Sequence, residues 1–151
     1  MRIRPATILL LLLIPVVSHT QSLSDYLGHY VVPKENRRGI HRFHQFDLLQ
    51  DTSGANSFHG IAIFLSDTTV SPINDLVFCP TRDIVLMGDS LIFRTTDCAN
   101  ERYEFAGRFV RKPKPFDEEF LTPVLEGTLT HYSGNRLLSR NKVLFRYDEG
   151  C

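Results

Sequence analysis

The sequence predicts an all-β protein, an antiparallel up-and-down barrel of about eight strands, with a two-sheet β-sandwich as the alternative. After residue 20 the chain consists of short runs in which apolar and polar residues alternate, and a period of two is typical of strands with one buried face. Turn sequences separate several of these runs. No run shows the long helical period that would indicate an α-helix. Sequential hairpins favour the barrel, because a sandwich usually needs long Greek-key connections.

The first twenty residues are predicted to be a signal peptide. Arg2 and Arg4 precede an apolar run over residues 6–17, and small or polar residues follow it. This order is typical of a secretory signal, and the run is shorter than the ~20 residues that span a bilayer. We therefore expect cleavage near Thr20, a secreted or periplasmic protein, and a single barrel domain over residues 21–151.

The early strands are predicted from shorter runs. The candidates are Gly28 to Val32, Arg42 to Leu49 and Ser57 to Leu65, with Asp75 to Phe78 as a short strand or a lead-in to the next one. Residues 50–56 contain Asp, Ser, Gly and Asn, which favour a turn between the second and third runs.

The clearest hairpin lies between Cys79 and Cys98. Gly88-Asp89 is a good two-residue turn between apolar runs, and pairs counted outward from it place Cys79 opposite Cys98. Opposed residues lie ~4.5–5.5 Å apart between Cα atoms, which a disulfide can span, and an exported chain meets an oxidising compartment. We predict a Cys79–Cys98 disulfide, with two buried thiols as the alternative, and we leave the role of Cys151 open.

Both faces of this hairpin are apolar. In the predicted register Val85 pairs with Ile92 on one face, and Ile84 pairs with Phe93 on the other. A hairpin with one wet face should alternate. We therefore expect the outer face of the Ile84–Phe93 hairpin to be covered by a loop, a protein partner or a second copy of the chain.

Three later runs complete the barrel, and they are residues 102–109, 125–130 and 142–147. Ser133-Gly134-Asn135 is predicted to join the last two as a three-residue loop, in which Asn135 is able to adopt positive φ. That register places Glu126 opposite Lys142, so that opposite charges face each other.

Three segments combine glycine with aromatic or apolar residues, and they are Gly28–Tyr30, Phe105–Phe109 and Leu125–Leu129. In these segments the chain resembles the lipocalin-like (calycin) barrels, whose small secreted members often show apolar-x-Gly-x-apolar at strand centres. Tyr30 stands where the family's Gly-x-Trp motif has tryptophan, a residue that this chain lacks. The resemblance implies a barrel that binds a small apolar molecule.

The candidate ligand-binding residues are the aromatic side chains expected to face the lumen, namely Phe43, Phe58, Phe64, Phe93, Tyr103, Phe105, Phe109 and Phe145. The same rings could instead fill the barrel, since eight strands leave room for either arrangement.

Motifs for catalysis are missing from the sequence. It contains no Gly-x-Ser-x-Gly, no His-Glu-x-x-His and no cysteine–histidine arrangement outside the predicted disulfide. Cleavage near Thr20 would leave 15 basic and 17 acidic residues. The chain then lacks the excess of positive charge that is typical of nucleic-acid-binding proteins. We therefore expect no enzyme activity, metal site, cofactor or membrane span.

The sequence favours a secreted lipocalin-like binding module for a small apolar ligand. The alternative is a structural or protein-interaction module of the cell envelope or extracellular space, for example an inhibitor. The identity of the ligand or partner, the presence of a cavity and the oligomeric state stay open at this level.

Overall fold

The computed structural model describes residues 23–37, 39, 42–51, 58–65, 76–114 and 122–148. The strands are β1 (Gly28–Val31), β2 (Phe43–Gln50), β3 (Phe58–Leu65), β4 (Leu76–Met87), β5 (Ser90–Thr95), β6 (Glu101–Phe109), β7 (Leu125–Ser133) and β8 (Arg136–Asp148). Two short 3-10 helices, Leu23–Tyr26 and Lys34–Asn36, flank β1. The predicted signal peptide, residues 1–20, and Cys151 lie outside the described residues.

The eight strands form a closed antiparallel barrel. Each strand pairs with the next along the chain, and β8 pairs with β1 to close the wall. The predicted up-and-down barrel is therefore confirmed, and the alternative sandwich is wrong. The separate short strand that was one interpretation of Asp75 to Phe78 is part of β4, which runs without a break from Leu76 to the hairpin turn.

The β4–β5 hairpin begins as predicted and then leaves the predicted register. Gly88 and Asp89 form the turn, and the predicted pairs hold as far as Val85 with Ile92. A β-bulge follows at Asp83, whose φ is 52°. Because a bulge sets two residues of one strand against one of its partner, every pair beyond it is displaced by one residue.

The predicted disulfide between Cys79 and Cys98 is present, with Cα atoms 5.9 Å apart. The register offered for it is wrong, because the bulge moves Cys98 away from the position opposite Cys79. β5 ends at Thr95, and Cys98 lies in the connection to β6. There Cys98 N–H donates to the Glu101 carbonyl and Glu101 N–H donates to the Cys98 carbonyl, both at 2.9 Å, so the disulfide ties this connection to the wall.

The β7–β8 turn is tighter than predicted. Gly134–Asn135 forms a two-residue loop whose glycine has a φ of 54°, and a second irregularity follows beside His131. Together they move the register by two residues, so that Glu126 faces Leu144 and the predicted pairing with Lys142 is wrong. A shift of two keeps each side chain on its predicted face, which is why the core is unchanged.

Aromatic rings from opposite walls meet in the middle of the barrel. β2 and β6 are four strands apart around the wall, yet Phe43 contacts Tyr103 with ring centroids 5.0 Å apart. Phe46 lies between Phe93 and Phe145, at 4.7 and 5.1 Å. The rings contact one another in a continuous layer across this part of the lumen.

A pair of glycines makes room for one of these rings. Gly107 on β6 faces Gly127 on β7, and a Cβ atom on either one would lie 2.4 or 2.6 Å from the ring of Phe105. Both positions therefore exclude any larger residue. This close packing is the physical basis of the apolar-x-Gly-x-apolar pattern in these two strands.

Candidate functional site

The predicted ligand-binding side chains lie in the barrel interior. Those that are buried are Phe43, Phe64, Phe93, Tyr103, Phe105, Phe109 and Phe145, while Phe58 is partly buried and packs against them. Most of these rings contact another ring. Their position on the inner face is as expected, and their role in ligand binding stays a prediction.

Phe46 is the centre of the ring network. Simple alternation from Phe43 would place Phe46 on the outer face. An irregularity between Phe43 and Gln45 changes the phase of β2 and returns Phe46 to the interior, where it is buried. No signal in the local sequence marks this irregularity.

The first 3-10 helix closes one end of the barrel. Tyr26, at the end of this helix, contacts Phe109 with ring centroids 4.5 Å apart. The Tyr30 hydroxyl donates to the Tyr26 carbonyl, and the Tyr30 ring stacks on Phe46 at 4.8 Å. Burial, together with the neighbouring Tyr147 and Tyr26, raises the pKa of Tyr30, so its hydroxyl stays a neutral donor.

An ion pair crosses the other end. Arg42 directly precedes β2 and Glu101 begins β6, on the opposite side of the wall. Arg42 Nη2 lies 2.6 Å from Glu101 Oε1, and the two side chains are 16% and 6% exposed. Arg42 also donates from Nε and Nη2 to the Leu65 carbonyl at 3.0 and 2.9 Å, which fixes the guanidinium at the edge of the lumen.

His131 lies beside this ion pair on the β7 side. Its Nε2 lies 3.3 Å from Glu101 Oε2, and its ring stacks on Tyr103 with centroids 4.3 Å apart and planes 8° from parallel. We call Arg42, Glu101, His131 and Tyr103 the mouth cluster. The sequence did not indicate this cluster, because its members are distant in the chain and only barrel closure brings them together.

The second candidate site is a stripe of apolar side chains on the outside of the wall. Phe78 and Met87 of β4 are 62% and 65% exposed, and Val85 lies between them, beside its β5 partner Ile92. We define the outer stripe as Leu76, Phe78, Pro80, Arg82, Val85 and Met87 of β4 together with Ile92 of β5. It includes the outer face of the predicted Ile84–Phe93 hairpin, and whether a partner covers it stays a prediction.

β3 widens one end of the outer stripe. Every second pair of the β3–β4 ladder faces outward and is apolar on both strands, and these pairs are Ile61 with Pro80, Ile63 with Phe78, and Leu65 with Leu76. The three β3 side chains are partly exposed. This end of the stripe is therefore an apolar surface two strands wide.

The middle of the outer stripe is charged. Arg82 faces Arg94 directly across the β4–β5 ladder, and Arg94 forms an ion pair with Asp83. A shallow hollow of about 410 Å³ lies beside this pair and is lined in part by Ile92 and Glu104. Charged groups and a hollow thus separate two apolar stretches.

Comparisons with known proteins leave the family open: no family model, no curated protein and no solved structure matches this chain. The likeness to lipocalin-like barrels consequently rests on architecture alone, the closed eight-strand antiparallel wall.

The described part of the chain contains no group of three or more His, Cys, Asp or Glu side chains placed to hold a metal ion. Within the same residues, no helix has the length and apolar character needed to cross a membrane.

Proposed function

We propose that this protein is a non-catalytic interaction module of the cell envelope or extracellular space, which binds a protein partner through the outer stripe. The observation that carries the proposal is the exposure of large apolar side chains in adjacent positions of β4 and β5. Single exposed apolar residues are ordinary, whereas contiguous exposed patches are typical of interaction sites.

Neighbouring positions make the stripe one surface rather than scattered residues. Val85 is the ladder partner of Ile92, and Phe78 is the ladder partner of Ile63. Partners on one face lie about 5 Å apart, so a single partner surface can cover both members of each pair. Full burial of a side chain of this size contributes roughly 1.5–3 kcal/mol, and a few such anchors dominate a typical interface.

The packed interior supports the same proposal. Rings from opposite walls are already in contact, so the side chains that would line a lumen site are occupied by one another. The Cys79–Cys98 disulfide supports the export that the predicted signal peptide, residues 1–20, implies, because disulfides persist in oxidising compartments.

A matched pair of variants tests this function. The oxidised chain, Phe78→Ser and Leu137→Ser are immobilised and exposed to the exported proteins of the source organism, and each captured protein is then purified and its affinity measured directly. Leu137 is an exposed leucine of β8, near the β7–β8 turn, so its replacement removes a similar apolar area elsewhere.

The expected result is a purified partner that binds the parent and Leu137→Ser equally but loses at least tenfold in affinity for Phe78→Ser. The proposal is wrong if no protein binds selectively, or if every protein that binds selectively has the same affinity for the parent and for Phe78→Ser.

A second candidate function is the binding of a small apolar ligand in the lumen, as in lipocalin-like carriers. The mouth cluster favours it, because one buried ion pair separates the aromatic layer from the end of the barrel. Displacement of an apolar fluorescent dye, measured for the parent and Glu101→Gln, tests this function. Tighter dye binding to Glu101→Gln is expected, and the absence of saturable binding to either protein contradicts it.

A further inference from the structure

We infer that the partner of the outer stripe presents a peptide segment in which a carboxylate lies between two apolar anchors. The inference rests on the proposed function and names the chemistry of its partner. It follows from the charges in the middle of the stripe and from the distances along β4.

Arg82 is the arginine of the stripe that has no ion pair with a described residue, and its side chain is exposed. Its neighbours are engaged with one another: Arg94 pairs with Asp83, and Arg102 pairs with Glu104 at 3.4 Å and with Asp97 at 3.8 Å. Arg82 therefore offers its guanidinium to a carboxylate from outside.

The spacing of the anchors follows from strand geometry. At ~3.3 Å per residue, Phe78 lies about 13 Å from Arg82 along β4. Val85 lies about 10 Å away in the other direction, with the Asp83 bulge between them. A bound segment therefore needs an acidic side chain at its centre and an apolar side chain at each of these distances.

The hollow beside Arg94 gives the segment a further contact. Its lining combines Ile92 with Asp83, Arg94 and Glu104, so it suits a side chain with an apolar stem and a polar end.

Selection from a random 16-residue peptide library tests the inference. The oxidised full chain is used as bait, and the affinities of the selected peptides are measured for the parent, Phe78→Ser, Arg82→Glu and Arg136→Glu. Arg136 is an exposed arginine on the β7–β8 hairpin, so Arg136→Glu applies the same charge change outside the stripe. Far-UV circular dichroism and a thiol assay confirm that each variant is folded and oxidised.

The expected peptides carry Asp or Glu between apolar residues. They should bind the parent and Arg136→Glu alike, and both Phe78→Ser and Arg82→Glu at least tenfold more weakly. A new selection on Arg82→Glu should yield Lys or Arg in place of the acid, which is a result that misfolding would not produce.

The other outcomes separate the inference from the proposed function. Peptides that depend on Phe78 but not on the charge at position 82 overturn the inference and leave the proposed function in place. Peptides that bind Phe78→Ser as well as the parent overturn both. A selection that gives no binder overturns the inference.

Discussion

Two residues next to the mouth cluster have a strained backbone conformation. Ala99 and Asn100 have φ values of 52° and 61°, and they lie between Cys98 of the disulfide and Glu101 of the ion pair. Asn tolerates this left-handed conformation, whereas a residue such as Ala adopts it at a cost of roughly 1–2 kcal/mol. The two residues turn the chain tightly enough to begin β6 with Glu101 inside the barrel.

Ala99→Gly is expected to stabilise the protein by roughly 0.5–1 kcal/mol, because glycine adopts positive φ without a steric cost while its greater freedom in the unfolded chain offsets part of the gain. Ala106→Gly is the control, since Ala106 is an exposed alanine inside β6. It should destabilise by a similar amount. Guanidinium unfolding measures both changes, and equal effects of the same sign would contradict the strain at position 99.

His44 gives the molecule a predictable response to acid. Burial, and secondly the charge of Arg37, hold the pKa of His44 below its ordinary value of 6.5. Its Nε2 is buried without a hydrogen-bond partner in the described part of the chain, so a proton there would have no acceptor. The unfolded chain therefore takes up a proton at higher pH than the folded protein does, and acid favours unfolding.

We expect the free energy of unfolding of the parent to fall more steeply than that of His44→Gln as the pH drops from about 7.5 to about 5.5. The slope of each curve gives the number of protons taken up on unfolding, and the two proteins should differ by at most one proton per molecule. Urea unfolding across this range measures it, with about pH 8 as the reference where His44 is neutral in both states. Parallel curves would show that His44 titrates alike when folded and unfolded.

At the scale of elements, the sequence predicts what local chemistry determines. The Gly88-Asp89 turn and the alternation of β6 give the hairpins and the buried face correctly. The bulge at Asp83 could not be predicted, because nothing in the sequence around this aspartate indicates that it adopts a positive φ. It displaced the ladder, yet the disulfide still formed because Cys98 lies beyond the strand, in a connection that can adjust.

The two candidate sites differ in how far apart their residues lie in the sequence. The outer face of the hairpin was predictable, since its apolar character is visible in Val85 and Ile92. The mouth cluster was not, because Arg42, Glu101 and His131 meet only when β2 and β6 lie on opposite sides of a closed wall.

The β5–β6 connection should couple the disulfide to the mouth cluster. Replacement of both bridging cysteines by alanine is expected to cost about 3 kcal/mol, and Glu101→Gln a similar amount, because it leaves the buried Arg42 without its charge partner. The combined variant should lose at least ~0.5 kcal/mol less than the two separate losses together. Without the disulfide, the connection no longer holds Glu101 against Arg42.

Denaturant unfolding of the four proteins gives the coupling free energy. Glu126 supplies a control, because its ion pair with Arg108 at 2.9 Å is exposed on the outer wall. Glu126→Gln should cost less than about 1 kcal/mol and should add to the loss of the disulfide. Strict additivity at Glu101 as well would mean that the connection keeps its shape when reduced.

The barrel is closed by the pairing of β1 with β8, and this seam is its weakest junction. β1 has four residues and pairs with β8 at three positions, whereas β6 and β7 pair at nine. The seam also joins the first and last strands of the barrel, so its contacts carry the largest loss of chain entropy on folding. One aromatic residue secures it: Tyr147 contacts the buried Tyr30 at 5.8 Å and occupies the space beside Gly28.

Local opening of this seam is expected at a lower free energy than global unfolding. The Val32 N–H donates to the His44 carbonyl of β2, and amides alternate sides along a strand, so the Val31 amide faces Arg146 of β8 across the seam. Hydrogen exchange should therefore protect the Val31 amide less than the Phe105 amide, because exchange at Val31 needs only the seam to open. Tyr147→Leu should widen the difference, since it loosens β1 while β6 and β7 keep all nine pairs. Equal protection at the two amides, in the parent and in Tyr147→Leu, would mean instead that the barrel opens only as a unit.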